Sequence, residues 1–261
     1  MTNSNPNRID EVSRYYDQAV KIEHIGTWLF WIIAFLSLCM LYAATFGALV
    51  ENILQAIFTL IVLSHFTLSQ ISRFYLIPNA ERMRRKQMLS DAFGAPLSHD
   101  KTSLYYNNEY SPSIQRLSAN TMEDSLFSKE VASKMLSTKR LITGGYVALW
   151  LLAFSLRLNN LAILTWITQV VFSSEVVAQW LNLEVLRSRF EQVYEQLHSH
   201  FLYEIDANTS KTIATTLDSF VAYESAKSSA GILLSTKVFD QLNPTLTEKW
   251  SQIRQELKMN T

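Results

Sequence analysis

The chain has 261 residues, with 23 basic side chains balanced by 23 acidic ones, and 48% of it is apolar. A zero formal charge by itself says nothing about nucleic acid, and no direct binding to genomic nucleic acid is expected. The single cysteine, Cys39, excludes an internal disulfide and a thiol-based zinc framework.

The first 24 residues carry both charge signs and lead into an apolar run with no small-residue cleavage site, which is not the pattern of a secretory signal. A short helix is predicted near Ile9 to Ile25, inside a cytoplasmic segment 1–26. Ile25 to Val50 is then 26 residues without a charge, and Asn52 to Ser72 is 21, with Glu51 alone between them. A hydrocarbon layer of about 30 Å needs roughly 20 helical residues, so both runs are long enough to cross it. The spans are placed at Thr27 to Val50 and Ile53 to Phe74, as a first hairpin over 27–74. Ala43, Ala44, Gly47 and Ala48 form two small-xxx-small pairs in the first span, suited to close packing on the second or on another subunit.

Polar side chains are costly in lipid and turn towards other helices or water. Gln55, Thr59 and Ser69 fall near one stripe of the second span. They are candidate pore-lining residues if several copies surround an axis; interhelical hydrogen bonding is the alternative. His65, Gln169 and Glu175 are further candidate intramembrane polar residues.

A cytoplasmic insert, 75–140, follows. Its basic cluster Arg82, Arg84, Arg85 and Lys86 reads as a positive-inside anchor with candidate contacts to lipid head groups. The helix carrying it, Ala80 to Phe93, is predicted to end near Gly94-Ala95-Pro96. Tyr105, Tyr106, Asn107 and Asn108 form an adaptable polar and aromatic stretch. It suits a signal or partner contact, or a structured loop on the basic helix. Asn120 and Glu123 have capping-box spacing and are predicted to start the next helix, with ligand binding as the other reading. No alternating strand pattern appears.

The second apolar pair is shorter. Leu141 to Leu156 is 16 charge-free residues and Leu158 to Ser174 is 17, parted by Arg157. Spans at Leu141 to Leu158 and Leu161 to Trp180 give a second hairpin over 141–180; a buried soluble hairpin is the alternative. Lys and Arg gather after the second span, before the third and after the fourth, so both termini and the insert are expected in the cytoplasm.

In the C-terminal region, 181–261, Leu183, Leu186, Phe190, Val193, Leu197 and Phe201 form a helical stripe. It packs within the chain or pairs with a neighbour. A helix is predicted over Thr209 to Gln241 with Gly231 as a weak point, broken by Asn243-Pro244. Thr245 and Glu248 then cap a last helix. His198 and His200 are two apart on a helix and do not face each other, so they read as surface histidines rather than metal ligands. No phosphate-cradling glycine loop or nucleophile elbow is present, and neither an enzyme activity nor a cofactor is expected. The fold class is thus an all-α membrane protein with two transmembrane hairpins, four spans, and helical cytoplasmic segments.

The order of these parts resembles the S-4TM family of pore-forming effectors, found beside nucleotidyltransferases in bacterial anti-phage operons. Residues that carry the resemblance are Tyr105-Tyr106-Asn107-Asn108, Asn120 with Glu123 ahead of Phe127 and Ser128, Tyr223-Glu224 with Ala226-Lys227, and Asn243-Pro244 with Trp250. Membrane effectors of retron systems are similar in plan. The resemblance implies an inner-membrane, multi-pass protein of abortive infection. It would respond to a cyclic-oligonucleotide signal, or to a retron or nucleotidyltransferase partner, then oligomerise or rearrange and permeabilise the bilayer. A non-pore adaptor that anchors a cytoplasmic partner is the alternative.

Overall fold

The computed structural model describes residues 9–100, 102–103, 105–155, 174–203 and 209–259. Among the described residues the protein is all-α apart from one two-residue bridge, in which β1 (Ile9–Asp10) pairs antiparallel with β2 (Thr102–Ser103). The helices are α1 (Arg14–Ala43), α2 (Ala48–Ile71), α3 (Ile77–Phe93), α4 (Ile114–Ser155), α5 (Ser174–Tyr203), α6 (Ser210–Ala230) and α7 (Thr236–Glu256). The chain divides into two compact units, one of 1–16, 77–136 and 182–261, the other of 17–76 and 137–181.

The first unit is a helical body with an apolar core. Leu183, Leu186, Phe190, Val193 and Leu197 on α5 are buried, so the heptad-like stripe packs within the chain. Leu117, Met122 and Leu126 of α4, Met88 of α3 and Trp250 of α7 complete that core. The helix boundaries follow capping chemistry. Ser113 Oγ accepts from the Arg116 amide at 3.2 Å, so α4 opens there. Asn120 and Glu123 lie inside the helix and do not cap it. Thr209 Oγ1 accepts from the Thr212 amide at 3.1 Å to start α6. Gly231, at φ 56, ends that helix in the left-handed conformation that glycine adopts without steric cost.

α7 differs from expectation. It begins at Ser235, whose Oγ accepts from the Val238 amide, and it runs through Pro244 without a break. Proline removes one donor, to the Asp240 carbonyl, and both residues are exposed, so solvent can satisfy that oxygen. Thr245 and Glu248 are mid-helix.

The second unit contains a helical hairpin. α1 continues unbroken from Arg14, so the predicted short N-terminal helix and the first span are one element. The turn falls at Ala44–Phe46 and Gly47, not at Glu51. Gly47 has φ 104, a conformation that side chains resist, and it forms the turn. The small residues Ala43 to Ala48 therefore close the hairpin instead of making a packing stripe. Glu51 sits in the first turn of α2, where its charge suits the helix N-terminus. α2 passes into α3 through a π-type turn, Ser72–Leu76, where Pro78 leaves the Phe74 carbonyl without its usual donor.

α1 and α2 are long and apolar enough to cross a membrane. Their large side chains point outward. Trp28 is 73% exposed, Phe35 65%, Leu49 75% and Leu60 66%. The centre of the fourth expected span lies outside the described residues.

Core packing predicts a contrast on one helix. Phe190→Ala should cost the helical body about 3–5 kcal/mol, because the surroundings of a fully buried ring collapse only partly. Val185→Ala, at a half-exposed site, should change stability by under about 0.5 kcal/mol. Chemical denaturation in detergent compares the two.

Candidate functional site

The sequence-level candidates in the insert converge inside the helical body. α4 presents Asn120, Glu123 and Asp124 to the loop that follows β2. The Asn107 backbone N–H donates to Glu123 Oε2 at 3.0 Å, and the Asn107 side-chain amide donates to Oε1 at 2.5 Å. Asn108 Nδ2 donates to Asn120 Oδ1 at 2.7 Å. Tyr106 Oη donates to Asp124 Oδ2 at 3.2 Å. Asn120 Nδ2 in turn donates to Asp91, which also holds Arg116 through two bonds of 3.0 and 2.7 Å. Tyr105 to Asn108 thus form a structured loop anchored on α4.

Arg84 is buried and leaves the basic cluster. Its guanidinium donates to both Asp10 carboxylate oxygens at 3.0 and 2.8 Å. The same group lies 4.4 Å from the Tyr105 ring centre and 5.9 Å from that of Tyr16. Arg84 is therefore not placed for lipid head groups. Arg82 and Lys86 are exposed, and Arg85 is half-exposed. Arg85 lies 3.8 Å from Glu224 across a shallow groove of about 440 Å³, lined also by Phe220, Ser225 and Ser228.

A second ion cluster sits beside this one. Lys227, 12% exposed, pairs with Glu81 and lies 3.8 Å from Glu224. Tyr223 and Ser128 share a hydrogen bond of 3.1 Å. The motif residues Ser128, Tyr223, Glu224 and Lys227 therefore belong to one interior network with Asp124.

Electrostatics follow from burial. Glu123 is pushed up to about 8, because desolvation outweighs the two Asn107 donors. Asp124 is pushed up to about 6 by desolvation, against the pull of Lys227 and Arg84. Burial raises Tyr106 and Tyr223 well above the ordinary phenol value, which keeps both hydroxyls protonated. Burial works against the charge on Lys227, but Glu81, Tyr223 and Glu224 outweigh it and raise its value.

The intramembrane candidates are not gathered into one place. Gln55 and Thr59 are exposed on one face of α2, and Thr59 Oγ1 donates back to the Gln55 carbonyl at 2.8 Å. Ser69 is half-buried further along the same helix. A Cβ built on Gly26 lies 4.0 Å from His65 Nε2, so His65 faces α1. Gln169 lies outside the described residues. Glu175 falls in α5, and its side chain lies outside the described set. His198 rests against the Tyr194 ring and His200 against Phe201. Among the described residues no group of three or more His, Cys, Asp or Glu is disposed to hold a metal.

Sequence reasoning missed Asp10, Asp91, Arg116, Glu81 and Asp124. One signal was available for Arg84: Ile77, Ala80, Arg84 and Met88 share a helical stripe, and an arginine inside an apolar stripe needs a partner. Compared with known proteins, the chain matches no family model, no curated protein and no solved structure.

Two outcomes are expected. Glu123 binds its proton more tightly when folded, so its contribution to stability falls as pH rises from about 4.5 to about 8. Glu123→Gln removes that titration and leaves an oxygen for the Asn107 donors. Its stability relative to wild type should rise by about 1–3 kcal/mol between pH 5 and pH 8.5. Asp10→Ala should cost about 3–5 kcal/mol by stranding Arg84, and adding Arg84→Met should recover much of it. Denaturation midpoints read both.

Proposed function

We propose that this protein is a membrane-embedded effector that permeabilises the bilayer when its helical body receives a signal. The carrying observation is the hairpin of α1 and α2, whose aromatic and aliphatic side chains are largely exposed along two helices long enough to cross a membrane. Such a surface in water would be an aggregation liability; in lipid it is the expected exterior. Leu141, Val147, Leu151 and Leu152 are also exposed on the last turns of α4. They support a second hairpin over 141–180, which gives four spans with both termini and the insert in the cytoplasm.

The permeabilising half of the reading draws on the exposed Gln55 and Thr59 face and on the resemblance to S-4TM and retron-type effectors. Four spans from one chain enclose no wide channel, so permeation requires several copies or a disordered bilayer. The signal, a cyclic oligonucleotide or a nucleotidyltransferase or retron partner, would act through the insert. The groove beside Arg85 and the interior network of Glu123, Asp124 and Lys227 are the parts whose rearrangement would reach the helices.

Expression with its flanking genes under phage challenge should collapse a voltage-sensitive dye signal before cells lyse. Death at full membrane potential refutes permeabilisation. Replacing all the apolar spans by an unrelated anchor separates the two readings: retained protection supports an adaptor, and lost protection supports the effector.

A further inference from the structure

Three helices of the second unit meet at Lys139. Lys139 Nζ on α4 donates to Gln179 Oε1 on α5 at 2.8 Å. Glu23 on α1 stands within Coulombic reach of the same ammonium group. All three residues belong to the unit that holds the hairpin. One cation therefore ties α1, α4 and α5 together at one point.

The place of this clasp is specific. Glu23 lies four residues before Thr27, Lys139 two before Leu141, and Gln179 one before Trp180. Those are the cytoplasmic ends of the first, third and fourth spans in the proposed topology. Thr143, four residues beyond Lys139, lies on the same face of α4. It is buried, and its hydroxyl has no hydrogen-bond partner among the described residues. α4 is also one unbroken helix from Asp124, in the interior network, to Lys139 and Thr143. A turn or shift of that helix moves the clasp directly.

Resting on the membrane reading above, we infer that Lys139 is a latch: its contacts with Glu23 and Gln179 hold the cytoplasmic ends of the spans together, and their release is the step that opens the membrane part to ions. A partly exposed ion pair is weak enough for a signal to undo. It is also strong enough to bias a two-state equilibrium, since a tenfold change in population needs only about 1.4 kcal/mol. Opening gives the Thr143 hydroxyl access to water, which offsets part of what the broken clasp loses.

The full-length chain and its variants are expressed with the flanking genes in cells without phage, and membrane potential is read with a voltage-sensitive dye. Wild-type cells should stay polarised. K139M and E23Q each remove one charge of the pair and should raise the depolarised fraction several-fold. K139E sets two carboxylates together and should raise it about tenfold. The charge swap E23K/K139E restores opposite charges and should return to within about twofold of wild type, then respond to phage. Membrane fractions are probed for each variant, and if K139E is missing from them, K139M and E23Q decide. Should all the single variants stay polarised and collapse only on phage challenge, as wild type does, the latch is overturned and the effector reading stands. Depolarisation by K139E that the charge swap does not reverse also overturns the latch. Cells that stay polarised with every variant, and under challenge, overturn both.

Discussion

Arg84 is a guanidinium taken out of water, and the helical body is arranged around meeting it. α3 turns its inward stripe of Ile77, Ala80 and Met88 to the core, and Arg84 lies on that stripe. A buried charge stranded there would cost several kcal/mol, so a carboxylate must come to it. Asp10 does so because Ile9–Asp10 is held as a strand against Thr102–Ser103. Tyr105, just beyond β2, then covers the guanidinium face, and the next residues reach Asp124, Glu123 and Asn120. One desolvated cation thus fixes the start of the described chain, the loop after α3 and, through that loop, the interior polar network on α4. Remove its partner and three segments lose their reason to be where they are.

The hairpin solves the inverse problem. Its backbone hydrogen bonds run within each helix, and its large apolar side chains point outward. The two units therefore differ in what stabilises them. One depends on paired polar groups whose protonation is tuned by burial. The other presents apolar side chains outward along two helices long enough to cross a membrane. A change in protonation at Glu123 or Asp124 therefore acts within the first.

Periodic features were legible in the sequence, and singular ones were not. The stripe from Leu183 to Leu197 and the end of α3 at Gly94 could be read because apolar spacing and glycine carry local information. The lengths of the first two apolar runs also could be read. Glu51 misled because a charge inside a long apolar run looks like a boundary. The boundary was set instead by Gly47, which alone tolerates φ 104. Asn243-Pro244 misled because a proline is judged by the hydrogen bond it removes. Here the carbonyl it frees belongs to an exposed residue and the helix continues. Asn120 and Glu123 fit a cap by spacing, yet their partners lie 12 and 16 residues upstream in sequence, at Asn108 and Asn107. Pairing at that range has no local signature. The same holds for Arg84 and Asp10, 74 residues apart.

The basic run after the second span shows how one residue serves two stages. In the proposed topology, orientation is set while the chain inserts, when Arg73, Arg82, Arg84, Arg85 and Lys86 are all unpaired positive charges. After folding, Arg84 is cancelled by Asp10, and Arg85 lies near Glu224. Arg82 and Lys86 stay at the surface, on the face of α3 away from Ala80 and Met88. A count of basic residues is thus poor evidence for what each side chain touches. The folded protein can bury part of the charge that would orient it in the proposed topology, because insertion and folding ask different questions of the same arginine.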